Sequence, residues 1–227
     1  MTQIDRRKSP DVATAAEVEE PVRRKRWSLQ MAKRLTVVVV WTSSLYTIYQ
    51  ATNRYHLYTP ASLPSTAIDH AIPFWTWTVV PYFLLIGGMY LPALVSSVPL
   101  FKRTLAAITV GLLIIYTIFF LWPTTYPRPP LPEGTAFFDD WYRWLTVIDT
   151  PANCFPSGHI TAPAIGCWAV SKQYPRWRWL IWLLFIPLSL TILTTKQHYV
   201  WDLLGGLATA IIGVWATHRM TDREVIN

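Results

Sequence analysis

An all-α, polytopic membrane bundle is the fold class that the chain predicts, and three observations point to it. Just over half of the 227 residues, 52%, are hydrophobic, and 13 are tryptophan. Several apolar runs approach the roughly 20 residues that a helix needs to cross a bilayer. The basic residues gather at the ends of those runs, as the positive-inside rule describes. A net charge of +7 would otherwise suggest a nucleic-acid partner, but no polar basic surface is patterned for one.

The elements follow in order. Residues 1–26 are polar and end in Arg23, Arg24, Lys25 and Arg26. They carry no cleavable signal pattern and read as a disordered, basic cytoplasmic tail. The first apolar segment covers about 31–51, and a single segment in lipid must be helical whatever its β-propensity. An external loop, 52–72, leads to a second segment over 74–97, where Pro81 and Pro92 predict kinks. A turn with Lys102 and Arg103 precedes the third segment, 105–122.

The connection 123–156 starts with clustered prolines, which favour an extended path. Within it Phe137, Trp141, Trp144, Leu145 and Ile148 recur at helical spacing, opposite Asp139, Asp140 and Arg143. That pattern predicts an amphipathic interfacial helix between the third and fourth spans, with Asp139, Asp140 and Asp149 as solvated charges. A fourth segment, 156–172, contains Pro163. The fifth, 177–195, contains Pro187, and the sixth, 199–217, carries Gly205, Gly206 and Ala208. These small residues suit close contact with Ala162, Ala164 and Gly166 of the fourth. The membrane domain then runs over 27–219, with a cytoplasmic tail at 220–227.

Six spans with both termini cytoplasmic place 16 of the 20 Lys and Arg residues inside. The exceptions are Arg54, Arg128, Arg143 and Lys196. The same topology collects Arg128, Ser157, His159, Lys196, His198 and Asp202 at the non-cytoplasmic face. Cys154 and Cys167 lie at different depths and read as free packing thiols. His56, His70 and His218 read as surface residues.

Two short polar stretches then stand out, Asn153-Cys154-Phe155-Pro156-Ser157-Gly158-His159 and Lys196-Gln197-His198-Tyr199-Val200-Trp201-Asp202. Ionisable groups beside a membrane span are costly and mark function. Ser157, the Gly158 and His159 amides at a helix start, Arg128 and Lys196 would form an anion site, with phosphate as the natural ligand. His198 and Asp202 are four apart, so a carboxylate can hold one imidazole nitrogen and leave the other to attack phosphorus. His159 is the complementary acid and base.

Pro156-Ser157-Gly158-His159, followed by His198-x-x-x-Asp202, resembles the second and third motifs of the type 2 phosphatidic acid phosphatase (PAP2) superfamily. The similarity spans about 105–215. It implies a six-helix core and metal-independent chemistry without a cofactor. It also implies a phosphohistidine on His198, orientation of that ring by Asp202, acid–base work by His159, and phosphate binding by Ser157 and Gly158. Arg128-Pro129 resembles the end of the first motif, but Leu121 stands where the family has lysine and Ile192 where it has arginine. These departures resemble the branch of the phosphotransferases, such as inositol phosphorylceramide and sphingomyelin synthases, with Lys196 a candidate for the missing charge. The expected activity is therefore hydrolysis of a phosphorylated lipid, with transfer to a lipid alcohol as the alternative enzyme reading. A transporter or scaffold is the reading from another class.

Overall fold

The computed structural model describes residues 15–131 and 137–219, with side chains from Leu29 onward. Residues 1–14 of the expected tail, and the tail at 220–227, lie outside the described residues. The first helix, α1 (Ala15–Arg54), takes in the expected 31–51 segment and reaches back to Ala15, into the stretch read as tail. Past Met31 its less exposed positions include Arg34, Val38, Trp41, Leu45 and Tyr49, at intervals of three or four, with Thr42 beside Trp41. That stripe is what a helix with one packed face requires. Its other faces leave Val37, Val39, Val40 and Ile48 exposed, a surface suited to lipid rather than water.

The stretch expected as a plain loop contains β1 (Ala61–Ser62) and a short helix, α2 (Ala67–Ala71), closed at its start by a Thr66–Asp69 capping box. Such a box satisfies two otherwise unpaired donors reciprocally. Then come a 3-10 turn at Thr76–Thr78, α3 (Val79–Gly87) and a 3-10 stretch at Gly88–Leu94. Pro81 falls in the first turn of α3, where its missing N–H costs nothing. Pro92 sits in the 3-10 stretch, where the helix tightens.

The next helix, α4 (Val98–Leu121), starts seven residues before the expected 105. Ser97 accepts from the Leu100 amide and Pro99 occupies the first turn, so Lys102 and Arg103, expected in a turn, lie on the helix. After β2 (Thr124–Thr125) comes α5 (Phe137–Ile148), a helix that holds the residues read as periodic. Its faces differ from expectation. Asp139 is buried with Tyr142 and Leu145, while Phe137, Trp141, Trp144 and Val147 are exposed. Phe83 of α3 meets the rings of Trp141 and Trp144, so aromatic contact sets the roll of the helix and carries Asp139 inward.

The chain ends in α6 (Gly158–Gln173), α7 (Arg178–Thr194) and α8 (Val200–Ala216). In α6, 11 of its 16 residues are buried. It packs against the 88–94 stretch, α4, α7 and α8, as a helix apolar on all sides should. Close approach depends on glycine. A Cβ on Gly206 of α8 would lie 2.6 Å from the Ser157 carbonyl oxygen, and one on Gly213 2.4 Å from that of Ala107. The expected pairing of small residues is only partly met. Gly166 faces the Gly88 carbonyl and Leu91 instead, and Ala208 is exposed.

Three helical stretches among the described residues are long and apolar enough to cross a membrane: Thr76–Leu94, Val98–Leu121 and Pro175–Thr194. At one end of the bundle β1 and β2 pair in parallel, and Thr125 bridges Ala152. These pairings tie the connections before α3, α5 and α6 together. Cys154 and Cys167 are both free and buried.

Candidate active site

The turn from α7 to α8 sets the first half of the site. The Lys196 amide donates to the Leu193 carbonyl and that of Gln197 to Ile192, a Schellman closure in which glycine usually takes the left-handed position. Here Lys196 takes it, with φ of 50°. Four residues later the chain enters α8 at Val200. The Tyr199 amide donates to Asp202 Oδ2, and the Val200 amide to Asp69 Oδ1. This fixes His198 at the head of α8 and Asp202 in its first turn, with His198 Nδ1 3.0 Å from Asp202 Oδ2. Asp202 is fully buried.

The second half is seated on the first. The Ser157 amide donates to the Asp202 carbonyl oxygen at 3.0 Å, a contact that the absence of a side chain on Gly206 permits. Ser157 is then the residue before α6, with its hydroxyl 3.4 Å from His198 Nε2. His159 Nδ1 lies 3.3 Å from the same nitrogen and 3.1 Å from the Tyr82 hydroxyl. The Gly158 and His159 amides occupy the first helical turn, where backbone donors lack helical partners. Thr161 on α6 donates to the Gly206 carbonyl and meets the Thr209 hydroxyl, locking α6 to α8 below the site.

The two cations expected as phosphate ligands, Lys196 and Arg128, are both engaged by backbone carbonyls. Lys196 Nζ donates to the carbonyls of Asp69 and Ile72, at 2.8 and 2.7 Å. It caps the end of α2, a role set by the left-handed turn that directs its side chain there. Burial lowers its pKa, an effect offset by the neighbouring Asp69 carboxylate. Arg128 donates to the carbonyls of Asp149 and Thr150, at 2.7 and 3.3 Å, and lies 3.7 Å from Asp149 Oδ2. It braces the loop beside the site. Of the two residues that stand where the family has a cation, Ile192 is fully buried and Leu121 is exposed.

A cavity of about 310 Å³ opens from this polar end, and Gly158, His159 and His198 form part of its wall. Further in it is apolar, lined by Leu45, Ile86, Met89, Ile108 and Leu112 among others. Asp149, Asn153, Tyr49 and Tyr82 share the wall, and none of them was expected at the site. Asp149, expected as a solvated charge, accepts from the Tyr49 hydroxyl, and its side chain is only 13% exposed. Burial raises its pKa, partly offset by the Tyr49 hydrogen bond and Arg128. A signal for this lay in the spacing, because Asp149 is seven residues after Tyr142 and four after Leu145, on their inward face. Asn53 supports the loop by donating to the Ala152 carbonyl and accepting from the Thr150 amide and hydroxyl.

Cys154 Sγ, a ring nitrogen of His198 and a carboxylate oxygen of Asp202 lie within 4.8 Å of one another, a donor set that could hold a metal ion. The thiol donates to the Pro151 and Gln197 carbonyls, and burial raises its pKa. In the arrangement seen, the Cys154 thiol is engaged by these two carbonyls and the His198 nitrogen nearest Asp202 by that carboxylate.

No curated protein matches the chain. The family model described as the PAP2 superfamily matches residues 71–216, which include the Pro156–His159 stretch, His198 and Asp202. With a match over more than half of its length and both polar stretches inside it, the chain belongs to the PAP2 superfamily.

Proposed function

We propose that the protein is a membrane lipid phosphatase that hydrolyses a lipid phosphomonoester or pyrophosphate through a phosphohistidine on His198. The observation that carries this reading is the double engagement of one ring. His198 Nδ1 is held by Asp202, while Nε2 faces His159 and Ser157 at the polar end of an apolar cavity. A carboxylate on Nδ1 fixes the tautomer and supports positive charge on the ring as Nε2 attacks phosphorus.

In this mechanism the Ser157 hydroxyl and the Gly158 and His159 amides receive the phosphoryl oxygens. His159 protonates the leaving oxygen and then takes a proton from water as that water attacks the phosphohistidine. The separation of 3.3 Å between His159 and His198 is too short to hold a phosphoryl group between the rings. Substrate therefore displaces this contact, and the Tyr82 hydroxyl is the partner that keeps His159 oriented. Arg128 and Lys196 act by bracing the loop and turn on either side. The apolar reach of the cavity receives a lipid chain.

The topology belongs to the same proposal. Spans at 31–51, 76–94, 98–121, 158–173, 175–194 and 200–216 give a six-helix domain over 27–219, flanked by cytoplasmic tails. The site is then at the non-cytoplasmic face, with α5 in the interface. The outward-turned Phe137, Trp141 and Trp144 support that placement. A second reading, phosphotransfer to a lipid alcohol, draws on Leu121 and Ile192, which leave two family cations unreplaced. The test is a panel of labelled lipid phosphates with product identification, each with and without diacylglycerol or ceramide. Free phosphate from the wild type and none from His198→Ala is expected; a new phospholipid instead of phosphate would favour transfer, and full turnover by His198→Ala would refute both readings.

A further inference from the structure

Thr42 Oγ1, Gln50 Oε1 and both amide atoms of Asn153 are buried without a hydrogen-bond partner, and all three residues line the cavity beside His159 and His198. An unmet buried donor or acceptor is costly, and in a native protein it calls for a partner. Asn153 is the sharpest case. It is 3% exposed, and its φ of 58° lies in the left-handed region. Its amide N–H donates to the Thr124 carbonyl, and the preceding residues are held by Asn53, Arg128 and the Thr125–Ala152 bridge. The loop is thus fixed with the carboxamide against the cavity.

The chemistry of the missing partner follows from the two unmet atoms. A phosphate dianion only accepts, so it would satisfy Nδ2 and leave Oδ1 orphaned. A hydroxyl both donates and accepts. Asp149, on the same wall, offers a further acceptor at Oδ2, which Arg128 flanks at 3.7 Å while Tyr49 holds Oδ1. Asn153 also lines the same cavity as Gly158, His159 and His198, so the group it meets shares that cavity with the phosphate.

We propose that Asn153, supported by Asp149, is a specificity-determining residue that binds a free hydroxyl next to the phosphate, so that the preferred substrates are hydroxyl-bearing lipid phosphomonoesters. This rests on the phosphatase reading above. A site built around a substrate hydroxyl discriminates strongly against an analogue lacking it, because its own polar groups are then left unpaired.

The test compares 1-oleoyl lysophosphatidic acid with its 2-deoxy analogue, each in mixed micelles, by kcat/KM for phosphate release. The wild type is expected to favour the hydroxylated lipid at least about tenfold, and Asn153→Gly to bring that ratio close to one. Glycine keeps the left-handed backbone while removing the amide, and a merely structural defect would lower both rates together. Asn153→Asp, which keeps an acceptor, should retain part of the preference. Equal kcat/KM values in the wild type, or an unchanged ratio in Asn153→Gly, would overturn the proposal while leaving the phosphatase reading in place. Absence of His198-dependent release from either lipid would sink that reading and the hydroxyl site with it.

Discussion

Asp149 carries a buried carboxylate between a tyrosine hydroxyl and a guanidinium, and its titration should be visible in stability. Its folded-state pKa is raised above the ordinary value of 3.8, chiefly by burial. The folded state therefore binds this proton more tightly than the unfolded chain. The stabilisation is complete below the unfolded pKa and is lost as pH rises through the folded one. Asp149→Asn does not titrate, so its Tm relative to wild type should increase from pH 3.5 towards neutrality; a constant difference across that window would contradict the assignment. Gly158 gives a second test at this scale. A Cβ there meets only Leu112 Cδ2 at 3.6 Å, so Gly158→Ala should keep its Tm. It also puts a methyl group on the wall proposed to take phosphate, and a fall in kcat/KM of about tenfold or more is expected, about 1.4 kcal/mol in the barrier.

Among the elements, α8 is the one on which both the core and the site depend. Gly213→Ala would set a methyl 2.4 Å from a backbone oxygen of α4, which cannot rotate away. Overpacking of this kind costs about 1–3 kcal/mol, and thermal unfolding in micelles should show it. Gly206→Ala meets the Ser157 carbonyl at 2.6 Å, so it should cost activity as well, by pushing the start of α6 off α8. The α7–α8 turn makes a contrasting case. Lys196 holds α2 through two charge-assisted hydrogen bonds, so Lys196→Ala should lower Tm, by about 1–2 kcal/mol in stability, with KM for a lipid phosphate little changed. A raised KM at unchanged Tm would instead return Lys196 to the phosphate site. Lys196→Gly should lose less than Lys196→Ala, because glycine relieves the left-handed backbone.

For the molecule as a whole, the proposed topology separates Arg143 and Lys172 by a membrane, and both are exposed. In sealed vesicles of known orientation, Arg143→Cys should react with an impermeant maleimide from the non-cytoplasmic side, and Lys172→Cys only after permeabilisation. The buried Cys154 and Cys167 should add little background. Labelling of both from one side would refute the six-span arrangement. The apolar runs made the helices over 98–121 and 178–194 legible, since their composition depends on the solvent around them and not on partners. The polar stretches at 153–159 and 196–202 were legible for a related reason, because histidine and carboxylate beside a span need a use. Composition and residue spacing suffice for the helical class, for grouping Ser157 and His159 with His198 and Asp202, and for the family that this grouping resembles. It took the folded chain to show that Lys196 caps α2, that Arg128 bonds the 149–150 loop, and that Tyr82, Asp149 and Asn153 join the cavity wall. The physical reason is that a side chain's role depends on where its turn directs it and on which unpaired carbonyls lie within reach, and those partners are as many as 127 residues away in sequence.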